Sequence, residues 1–300
     1  MKQTFYSNGK LLLSGEYVIL DGASGIAIPT KYGQSLEISL AKTEGIYWKS
    51  LDEKGGVWFE GTFTFETGML ADTDHNETSK ILLNILKAAN RLNPNFFDEN
   101  RSCNVITRLH FPRTWGLGTS STLINNIAQW AQVDAFQLLG DSFGGSGYDI
   151  AAAQNDTPIL YQLEKSPKIT LVSLPWGFID QLFFVHLNQK QDSKEGIARY
   201  KSAMVDKKVF AEIDAINKSL LVCNSLPQFE ALLEHHERII SEVIQLPTIK
   251  TERFSDYTRS IKSLGAWGGD FVLATGGETE KDYFRQKGYL TILDFNNMLK

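Results

Sequence analysis

A glycine-rich segment near the middle of the sequence combines two glycines with three consecutive hydroxyl residues. It consists of Gly116, Leu117, Gly118, Thr119, Ser120 and Ser121. Glycine lets the backbone approach a ligand closely, and the unpaired N–H groups that begin a helix attract anions. A hydroxyl at such a position can also bind Mg²⁺. The segment therefore predicts a phosphate site at a helix start, although a plain loop followed by a capped helix has the same composition.

Other segments place charged or aromatic side chains next to glycines. In residues 9–17 (GKLLLSGEY), Lys10 and Glu16 lie on either side of a short apolar strand. In residues 145–153 (GSGYDIAAA), Asp149 follows a glycine turn and opens an alanine-rich helix. A third glycine cluster, GAWGGD, contains the bulky Trp267 and leads into a strand. A plain structural interpretation also exists, in which Lys10 is a solvated edge charge and Asp149 is a helix cap.

Several other chemistries are disfavoured because their motifs are missing or misplaced. The sequence contains neither a Gly-x4-Gly-Lys-Ser/Thr P-loop nor a Gly-x-Gly-x-x-Gly segment after a strand, which excludes both common nucleotide sites. The sequence GDSFG around Ser142 matches a nucleophile elbow, but that elbow needs a preceding strand, and residues 125–139 are predicted to be helical. A serine hydrolase is kept as a remote alternative. His235 and His236 lack metal-ligand spacing, and His236 is predicted to be a hydrogen-bonded core residue.

The elements that must position these residues change from strands to helices along the chain. Alternating or short apolar runs predict strands at 11–13, 18–20, 26–28, 35–40, 59–65 and 104–111. Helical spacing predicts a helix at 77–92, with an apolar face formed by Ile81, Ile85, Ala88, Ala89 and Leu92. A long helix is predicted to follow the first glycine segment, and a short one to begin near Asp149.

The C-terminal part of the sequence is predicted to be richer in helices. A lobe boundary at residues 175–177 precedes a strand at 182–187, three amphipathic helices that run to about Leu264, and a strand at 271–275. One of these helices carries an apolar stripe formed by Phe229, Leu233, His236, Ile240 and Val243. The fold class is therefore α+β, with lobes at 1–175 and 176–300.

Composition limits the class of protein. The 300 residues are 42% hydrophobic and 22% charged, which is enough for a substantial core and excludes a disordered or low-complexity chain. A net charge of −5 without a Lys/Arg block disfavours nucleic acid and anionic membranes as partners. Cys103 and Cys223 are too few for a disulfide framework and are predicted to be buried thiols. No apolar run approaches the roughly 18 residues of a membrane span, so we predict a cytoplasmic monomer or homodimer.

In order and spacing, the glycine segments resemble those of the GHMP kinases, the family of galactokinase, homoserine kinase, mevalonate kinase and phosphomevalonate kinase. The resemblance extends over residues 9–275. Gly15-Glu16-Tyr17 is similar to the Gly-Glu-Tyr of phosphomevalonate kinases, as are the segments around Asp149 and Asp270. Two residues depart from the family pattern, since Thr119 replaces the first serine of Gly-Leu-Gly-Ser-Ser and Trp267 stands inside the third glycine loop.

The resemblance implies a two-lobed kinase with ATP and Mg²⁺ as cofactors. It implies that residues 116–121 bind phosphates, that Ser120 binds Mg²⁺, and that Asp141 is the acidic metal ligand. Asp149 would take or orient the proton of the acceptor, and Lys10 would keep that carboxylate ionised and offset charge on the phosphoryl group. Glu16 is predicted to pair with a lysine. The implied lining of the site consists of Glu16, Tyr17, Gly147, Tyr148, Lys190, Gly265, Trp267, Gly268 and Gly269.

The resemblance also limits the acceptor to a small-molecule alcohol or phosphate. Mevalonate or phosphomevalonate is favoured, which implies a role in isoprenoid precursor synthesis. The alternatives are a sugar or homoserine kinase, and a protein of this fold that binds a metabolite without catalysis. Phosphomevalonate would need at least two converging cations. The candidates for these cations are Lys31, Arg113, Lys190 and Lys194.

Overall fold

A computed structural model describes residues 2–189 and 193–300, with the side chains of 193–195 left undescribed. The described residues form the strands β1 (Gln3–Ser14), β2 (Ser24–Leu40), β3 (Gly45–Leu51), β4 (Val57–Glu66), β5 (Met69–Asp72), β6 (Ser102–Leu109), β7 (Ile159–Leu163), β8 (Pro167–Leu171), β9 (Leu182–His186), β10 (Ile261–Leu264), β11 (Phe271–Thr275) and β12 (Ile292–Asp294).

The described helices are α1 (Glu77–Leu92), α2 (Phe96–Glu99), α3 (Thr119–Ala131), α4 (Ala135–Ser142), α5 (Tyr148–Ala153), α6 (Ser193–Ser202), α7 (Lys207–Leu220), α8 (Leu226–Ile244), α9 (Ile249–Arg253), α10 (Glu278–Gln286) and α11 (Phe295–Met298). Short 3₁₀ turns occur at Val18–Asp21, Arg113–Trp115 and Ile179–Gln181. Within the described part of the chain, no helix is long and apolar enough to cross a membrane.

The chain divides into two compact units that are interleaved in the sequence. Unit 1 comprises the described parts of Met1–Gly9, Tyr32–Arg113 and Leu117–Gln154. Unit 2 comprises the described parts of Lys10–Lys31, Thr114–Gly116 and Asn155–Lys300. The strands β1 and β2 each contribute one end to each unit. The predicted lobes, 1–175 and 176–300, stay a prediction.

Unit 1 is built on a sheet with the strand order β5-β4-β3-β6-β2, in which β3 and β6 are parallel and the other pairs antiparallel. Side chains alternate along β6, where Val105 is buried and Ile106 exposed, as the predicted period of two requires. One apolar cluster joins the inward side chains of this sheet to those of α1, α3 and α4. The sheet thus provides the base on which α3 is held.

Helix α1 has the predicted bounds, and Ile85, Ala88 and Ala89 are buried as predicted, but one edge of its buried face differs. Ile81 is 41% exposed, and Leu82 and Leu86 are buried instead, together with Ile85. The face is set by contact with the sheet of unit 1, and Leu82 and Leu86 are spaced by four residues as a single helical stripe requires.

Unit 2 contains an antiparallel sheet with the order β10-β11-β9-β12 and the antiparallel pairs of β2 with β7 and of β7 with β8. Helix α8 packs on α7 and on β10. Its stripe is the predicted one up to Ile240 but ends on the buried Ile244 instead of Val243. Residues 261–264 form the strand β10, where a helix was predicted to continue, because they pair with β11.

Two short segments also differ from the prediction. The run 18–20 forms a 3₁₀ turn instead of a strand, and Gly22 ends that turn with a φ of 96°. The helix predicted across 125–139 is broken, since Gln132 adopts a φ of 55° and Asp134 caps a new helix by accepting from the N–H of Gln137. Strand β11 has the predicted bounds, and the strand-rich beginning with helices later in the chain is confirmed.

Candidate active site

The predicted phosphate segment leads into α3, and its residues 117–121 belong to unit 1. Gly118 precedes the helix with a φ of 90°, and no side chain caps the first turn. Leu117 is fully buried and anchors the segment. Ser120 is exposed, whereas the hydroxyl of Ser121 turns back and donates to the carbonyl oxygen of Gly118 at 2.9 Å. The start of α3 thus presents uncapped N–H groups beside the hydroxyl of Ser120.

A buried polar network fixes α3 within unit 1. Thr122 donates its hydroxyl to the side-chain oxygen of Gln34 at 2.7 Å, and Asn126 donates to the Gln34 carbonyl at 2.9 Å. Ser7 donates to Asn126 Oδ1 at 2.8 Å, and Asn125 Nδ2 donates to Ser7 at 2.8 Å. Buried polar groups that are mutually satisfied specify one geometry. The network therefore fixes the position of the helix whose first turn is the candidate phosphate site.

Helix α5 places Asp149 in its first turn. Gly147 precedes this helix with a φ of 86°, and both Asp149 and the adjacent Tyr148 are half-buried. At the other end of α5, Gln154 Nε2 donates to Asn125 Oδ1 at 3.0 Å, and α5 packs on α3. Unit 1 therefore carries the candidate phosphate segment and Asp149 on two helices that are packed together.

Gly116, the first residue of the segment, belongs to unit 2 and has a φ of 65°. A side chain at this position would have its Cβ in contact with the carboxylate of Asp270. The flanking Trp115 packs edge-on against Phe271 at 5.5 Å, and His186 Nε2 lies 3.1 Å from the carbonyl oxygen of Thr114. Glycine is thus required at position 116 both by the backbone conformation and by the space that Asp270 occupies.

Glu16 forms a buried ion pair in unit 2. Its Oε1 lies 2.7 Å from Nζ of Lys262, and the two side chains are 1% and 0% exposed. Lys262 also donates to the carbonyl oxygen of Ser263 at 2.8 Å, and its Nζ lies 3.6 Å from Oε1 of Glu237. The predicted pairing of Glu16 with a lysine is confirmed, and the lysine lies 246 residues away in the sequence.

His236 is the hydrogen-bonded core histidine that the sequence predicted. It is fully buried, and its Nε2 accepts from the backbone N–H of Gly15 at 2.9 Å. An accepting Nε2 requires the neutral ring. Burial, followed by the charge of Lys262, holds the pKa of His236 well below its usual value of 6.5. His236 therefore contributes a neutral contact to the turn that carries Glu16.

The two acids around Lys262 differ in their expected charge. Burial, followed by the charge of Glu16, raises the pKa of Glu237 to about 8 against the opposing effect of Lys262. Burial also raises the pKa of Glu16, and Lys262 opposes it there too. Because Glu16 is 2.7 Å and Glu237 is 3.6 Å from Nζ, the negative charge at neutral pH belongs on Glu16.

We expect Glu237→Gln to stabilise the protein increasingly as the pH rises. With a folded-state pKa of about 8 and an ordinary value of 4.5, Glu237 favours folding at low pH and loses that contribution as the pH rises between these values. The variant should gain up to about 1.4 kcal/mol per pH unit over this interval and nothing below it. Thermal unfolding of both proteins at pH 4.5, 6 and 8 measures the difference, with Glu234→Gln on the same helix as an exposed control. A gain that is independent of pH would contradict the assignment.

Trp267, the departure from the family's third glycine loop, is anchored inside unit 2. Its indole is buried, and Nε1 donates to the carbonyl oxygen of Pro247 at 2.8 Å. Its backbone N–H donates to the hydroxyl of Tyr17 at 2.8 Å. Gly265 and Gly268 flank it with φ values of 70° and 69°. Residues of two predicted segments, Tyr17 and Trp267, are therefore brought into direct contact within this unit.

The predicted cations have different surroundings. Lys10 is half-buried on β1 in unit 2. Lys31 donates to the carbonyl oxygen of Asn296 at 2.8 Å, and the guanidinium of Arg113 lies 3.9 Å from the ring centre of Trp58 in unit 1. Lys190 lies outside the described residues, as does the side chain of Lys194. The number of cations that serve an acceptor therefore stays a prediction.

Helix α4 contains both Asp141 and Ser142. Asp141 is exposed. Ser142 is the last residue of the helix and donates its hydroxyl to the carbonyl oxygen of Leu138 at 2.5 Å. A nucleophile elbow needs a strand before its serine, and here a helix precedes it, so the serine hydrolase alternative is wrong. Across residues 2–189 and 193–300, no group of three or more His, Cys, Asp or Glu side chains is arranged to hold a metal ion.

Sequence reasoning missed Lys262, Glu237 and Asp270. The signal for Lys262 is weak but real, since it is a lone charge in the four-residue strand IKSL, in which every residue is buried. A charge in such a strand requires a buried partner. Glu237 follows His236 on α8, and nothing in its spacing distinguishes it from a surface acid. The contact of Asp270 with Gly116 has no local signal.

Comparison with known proteins gives the fold its name. No model of a protein family matches the chain, and no curated protein sequence matches it. Solved structures match over almost the whole length. Mevalonate kinase from Methanococcus jannaschii has a TM-score of 0.70 and 14% identity, over 98% of this chain and 97% of that one. The predicted resemblance to the GHMP kinases is thereby supported by structure.

Two further structures broaden the match. Phosphomevalonate kinase from Streptococcus pneumoniae, in complex with phosphomevalonate and AMPPNP, has a TM-score of 0.69 and 16% identity over 97% of this chain and 99% of that one. Galactokinase from Lactococcus lactis, complexed with galactose, has a TM-score of 0.62 and 13% identity over 95% of this chain and 88% of that one. The chain has the GHMP kinase fold, as the sequence predicted.

Proposed function

We propose that this protein is an ATP- and Mg²⁺-dependent kinase that phosphorylates a small molecule. The observation that carries the proposal is the uncapped start of α3, where Gly118 introduces a first turn with an exposed Ser120. The N–H groups and dipole of such a turn bind anions. The fold agrees with this assignment, since the phosphomevalonate kinase that shares it was solved with AMPPNP and phosphomevalonate.

The residues present fit a nucleotide phosphate and Mg²⁺. Mg²⁺ keeps several water ligands and needs only one or two protein oxygens besides phosphate. Ser120 would supply one such oxygen and Asp141 a second. The hydroxyl of Ser121 already donates to Gly118, which makes Ser121 a poorer metal ligand than Ser120. The bound metal would neutralise phosphate charge.

Asp149 and Lys10 have the chemical roles in this proposal. Phosphoryl transfer requires little covalent chemistry from the protein, so catalysis is mostly positioning and charge stabilisation. Asp149 would accept or orient the proton of the acceptor hydroxyl, and Lys10 would offset the negative charge of the phosphoryl group. The packing of α5 on α3 supports the role of Asp149, because it fixes both helices in one unit.

The proposed acceptor is mevalonate or phosphomevalonate, in cytoplasmic isoprenoid precursor synthesis. The proposed lining includes Gly147, Tyr148, Gly265, Gly268 and Gly269, whereas Glu16, Tyr17 and Trp267, whose side chains are buried, would support it. The presence of Lys10, Ser120 and Asp149 favours an enzyme over a protein of this fold that only binds a metabolite.

The test is ADP release in the presence of ATP and Mg²⁺ with mevalonate, phosphomevalonate, galactose and homoserine in turn. We expect one acceptor to give ADP and an equal amount of a phosphorylated product, detected by ³¹P NMR. Intact ATP binding without ADP release for any acceptor would favour the binding protein instead. Absence of ATP binding would contradict the proposal altogether.

We expect Ser120→Ala to raise the Mg²⁺ concentration needed for half-maximal turnover by about tenfold. The variant removes one oxygen ligand and leaves the N–H groups of the first turn in place, so ADP binding should change little. Ser121→Ala is the matched control, because its hydroxyl is bonded to Gly118. Titration of Mg²⁺ at saturating ATP and acceptor measures the effect. A shift in Ser121→Ala with none in Ser120→Ala would reassign the ligand.

A further inference from the structure

Two consecutive residues of one turn contact a glycine loop of unit 2 and the strand before it. We call residues 265–269 the third glycine loop. Glu16 pairs with Lys262 of β10, the strand that ends at Leu264 immediately before this loop. Tyr17 accepts from the backbone N–H of Trp267 at 2.8 Å. The turn that carries Glu16 and Tyr17 thus bonds to the strand before the loop through Lys262 and to the middle of the loop through Trp267.

Tyr17 has a strained backbone. Its φ of 64° and ψ of −52° lie outside the regions that a residue with a side chain ordinarily adopts. Such a conformation is unfavourable for a residue with a side chain and persists only where the surroundings determine it. The ring of Tyr17 is stacked on Tyr200, with ring centres 6.1 Å apart and planes 24° apart. The surroundings therefore hold this side chain in a position that its backbone alone would not favour.

Helix α6 closes the other side of the Tyr17 ring. A Cβ at Gly196 would collide with the Tyr17 hydroxyl and ring, so the absence of a side chain at Gly196 allows α6 to pack closely against Tyr17. Tyr200, one turn further along, donates its hydroxyl to Asp21 at 2.6 Å. The Tyr17 hydroxyl is therefore enclosed between α6 and the third glycine loop, and it bonds to the loop.

The loop has further bonds to protein groups. The indole N–H of Trp267 donates to Pro247, and Gln189 Nε2 donates to the carbonyl oxygen of Gly268 at 2.8 Å. Together with the bond to Tyr17, these contacts fix the loop at Trp267 and Gly268. All of these bonds are made to groups of the protein itself.

We propose that Tyr17 is a positioning residue, which fixes the third glycine loop before substrate binds and so sets the affinity for the acceptor. The proposal rests on the proposed kinase function for its kinetic consequence. A loop that is ordered in advance avoids the entropy cost of ordering it on binding. Loss of the Tyr17 hydroxyl should therefore weaken acceptor binding and leave the affinity for ATP, assigned to the start of α3, largely unchanged.

The experiment compares Tyr17→Phe with the matched control Tyr200→Phe. Each variant removes one hydroxyl from the same stacked pair, but only the Tyr17 hydroxyl is bonded to the loop. Hydrogen exchange of the Trp267 amide, measured by NMR without ligand, should be faster by roughly fivefold to tenfold in Tyr17→Phe, as the loss of one neutral hydrogen bond predicts. The KM for the acceptor should rise by a similar factor, and Tyr200→Phe should change neither quantity.

The two readouts distinguish failure of this inference from failure of the proposed function. Unchanged exchange of the Trp267 amide in Tyr17→Phe overturns the inference, as does an equal rise in the KM values for ATP and acceptor. Faster exchange in a protein that phosphorylates no acceptor supports fixation of the loop and overturns the proposed kinase function. Thermal unfolding of each variant verifies that the fold is retained.

Discussion

Replacing Asp149 with asparagine is expected to lower kcat by a factor on the order of 10²–10⁴, the usual contribution of a general base or proton-orienting group. Asparagine has nearly the shape of aspartate and remains compatible with the first turn of α5, so the fold should persist. The start of α3 is untouched, and the affinity for ATP should stay close to that of the wild type. Steady-state kinetics with the acceptor that the ADP-release screen identifies, together with ATP binding by calorimetry, measure both quantities.

Asp98→Asn is the control for this experiment, because Asp98 is an exposed acid of unit 1 on α2, away from the glycine segments. Its kcat should match the wild type. Near-normal turnover in Asp149→Asn would remove Asp149 from the mechanism. A loss of both turnover and ATP affinity would instead indicate that the variant disturbs the packing of α5 on α3.

Elements with strong periodicity could be predicted from the sequence because their pattern is local. The bounds of α1 follow from sixteen residues of helical spacing that end before Asn93-Pro94, and β11 from a short apolar run after glycines. The turn at 18–20 could not be predicted in this way. Three apolar residues satisfy a strand or a turn equally well, and here the positive φ of Gly22 belongs to the turn.

The candidate site likewise has parts that the local sequence predicts and parts that depend on long-range contacts. The glycine segments at 116–118 and 145–147 are predictable, because their composition determines the backbone that can form there. Their anchoring is not, because it depends on contacts between distant residues. Gly116 meets Asp270, and Tyr17 meets Trp267, across more than a hundred residues of sequence in each case. No spacing rule for a single element contains that information.

For the ion pair of Glu16 with Lys262, the sequence can predict that a buried acid exists but not which acid it is. A buried charge demands a partner of opposite sign, so a lone lysine in the buried strand β10 implies an acid somewhere in the core. The sequence offers many acids, and the choice among them is made by the packing of β10 beside the turn that carries Glu16.

Lys262→Met is expected to destabilise the protein by about 3–5 kcal/mol at pH 8, the usual cost of leaving one member of a buried ion pair unpaired. Methionine fills a similar volume, so the loss comes from the stranded Glu16 carboxylate, which is 1% exposed. Without Lys262, the largest effect that opposes burial is lost, so the pKa of Glu16 rises further and protonation removes the buried charge at low pH. The destabilisation should therefore be smaller at pH 5 than at pH 8, as measured by denaturant unfolding at both values.

Two comparisons make the prediction specific to this pair. Lys250→Met removes a cation from the exposed pair with Glu234, whose side chains are 30% and 54% exposed, and should cost less than about 1 kcal/mol at either pH. Adding Glu16→Gln to Lys262→Met removes the stranded charge and should recover much of the lost stability at pH 8, because a buried pair replaced on both sides is often tolerated. If the double variant is no more stable than Lys262→Met, the loss arises from packing around Lys262. In that case Glu16 is not held in place by the charge on Lys262.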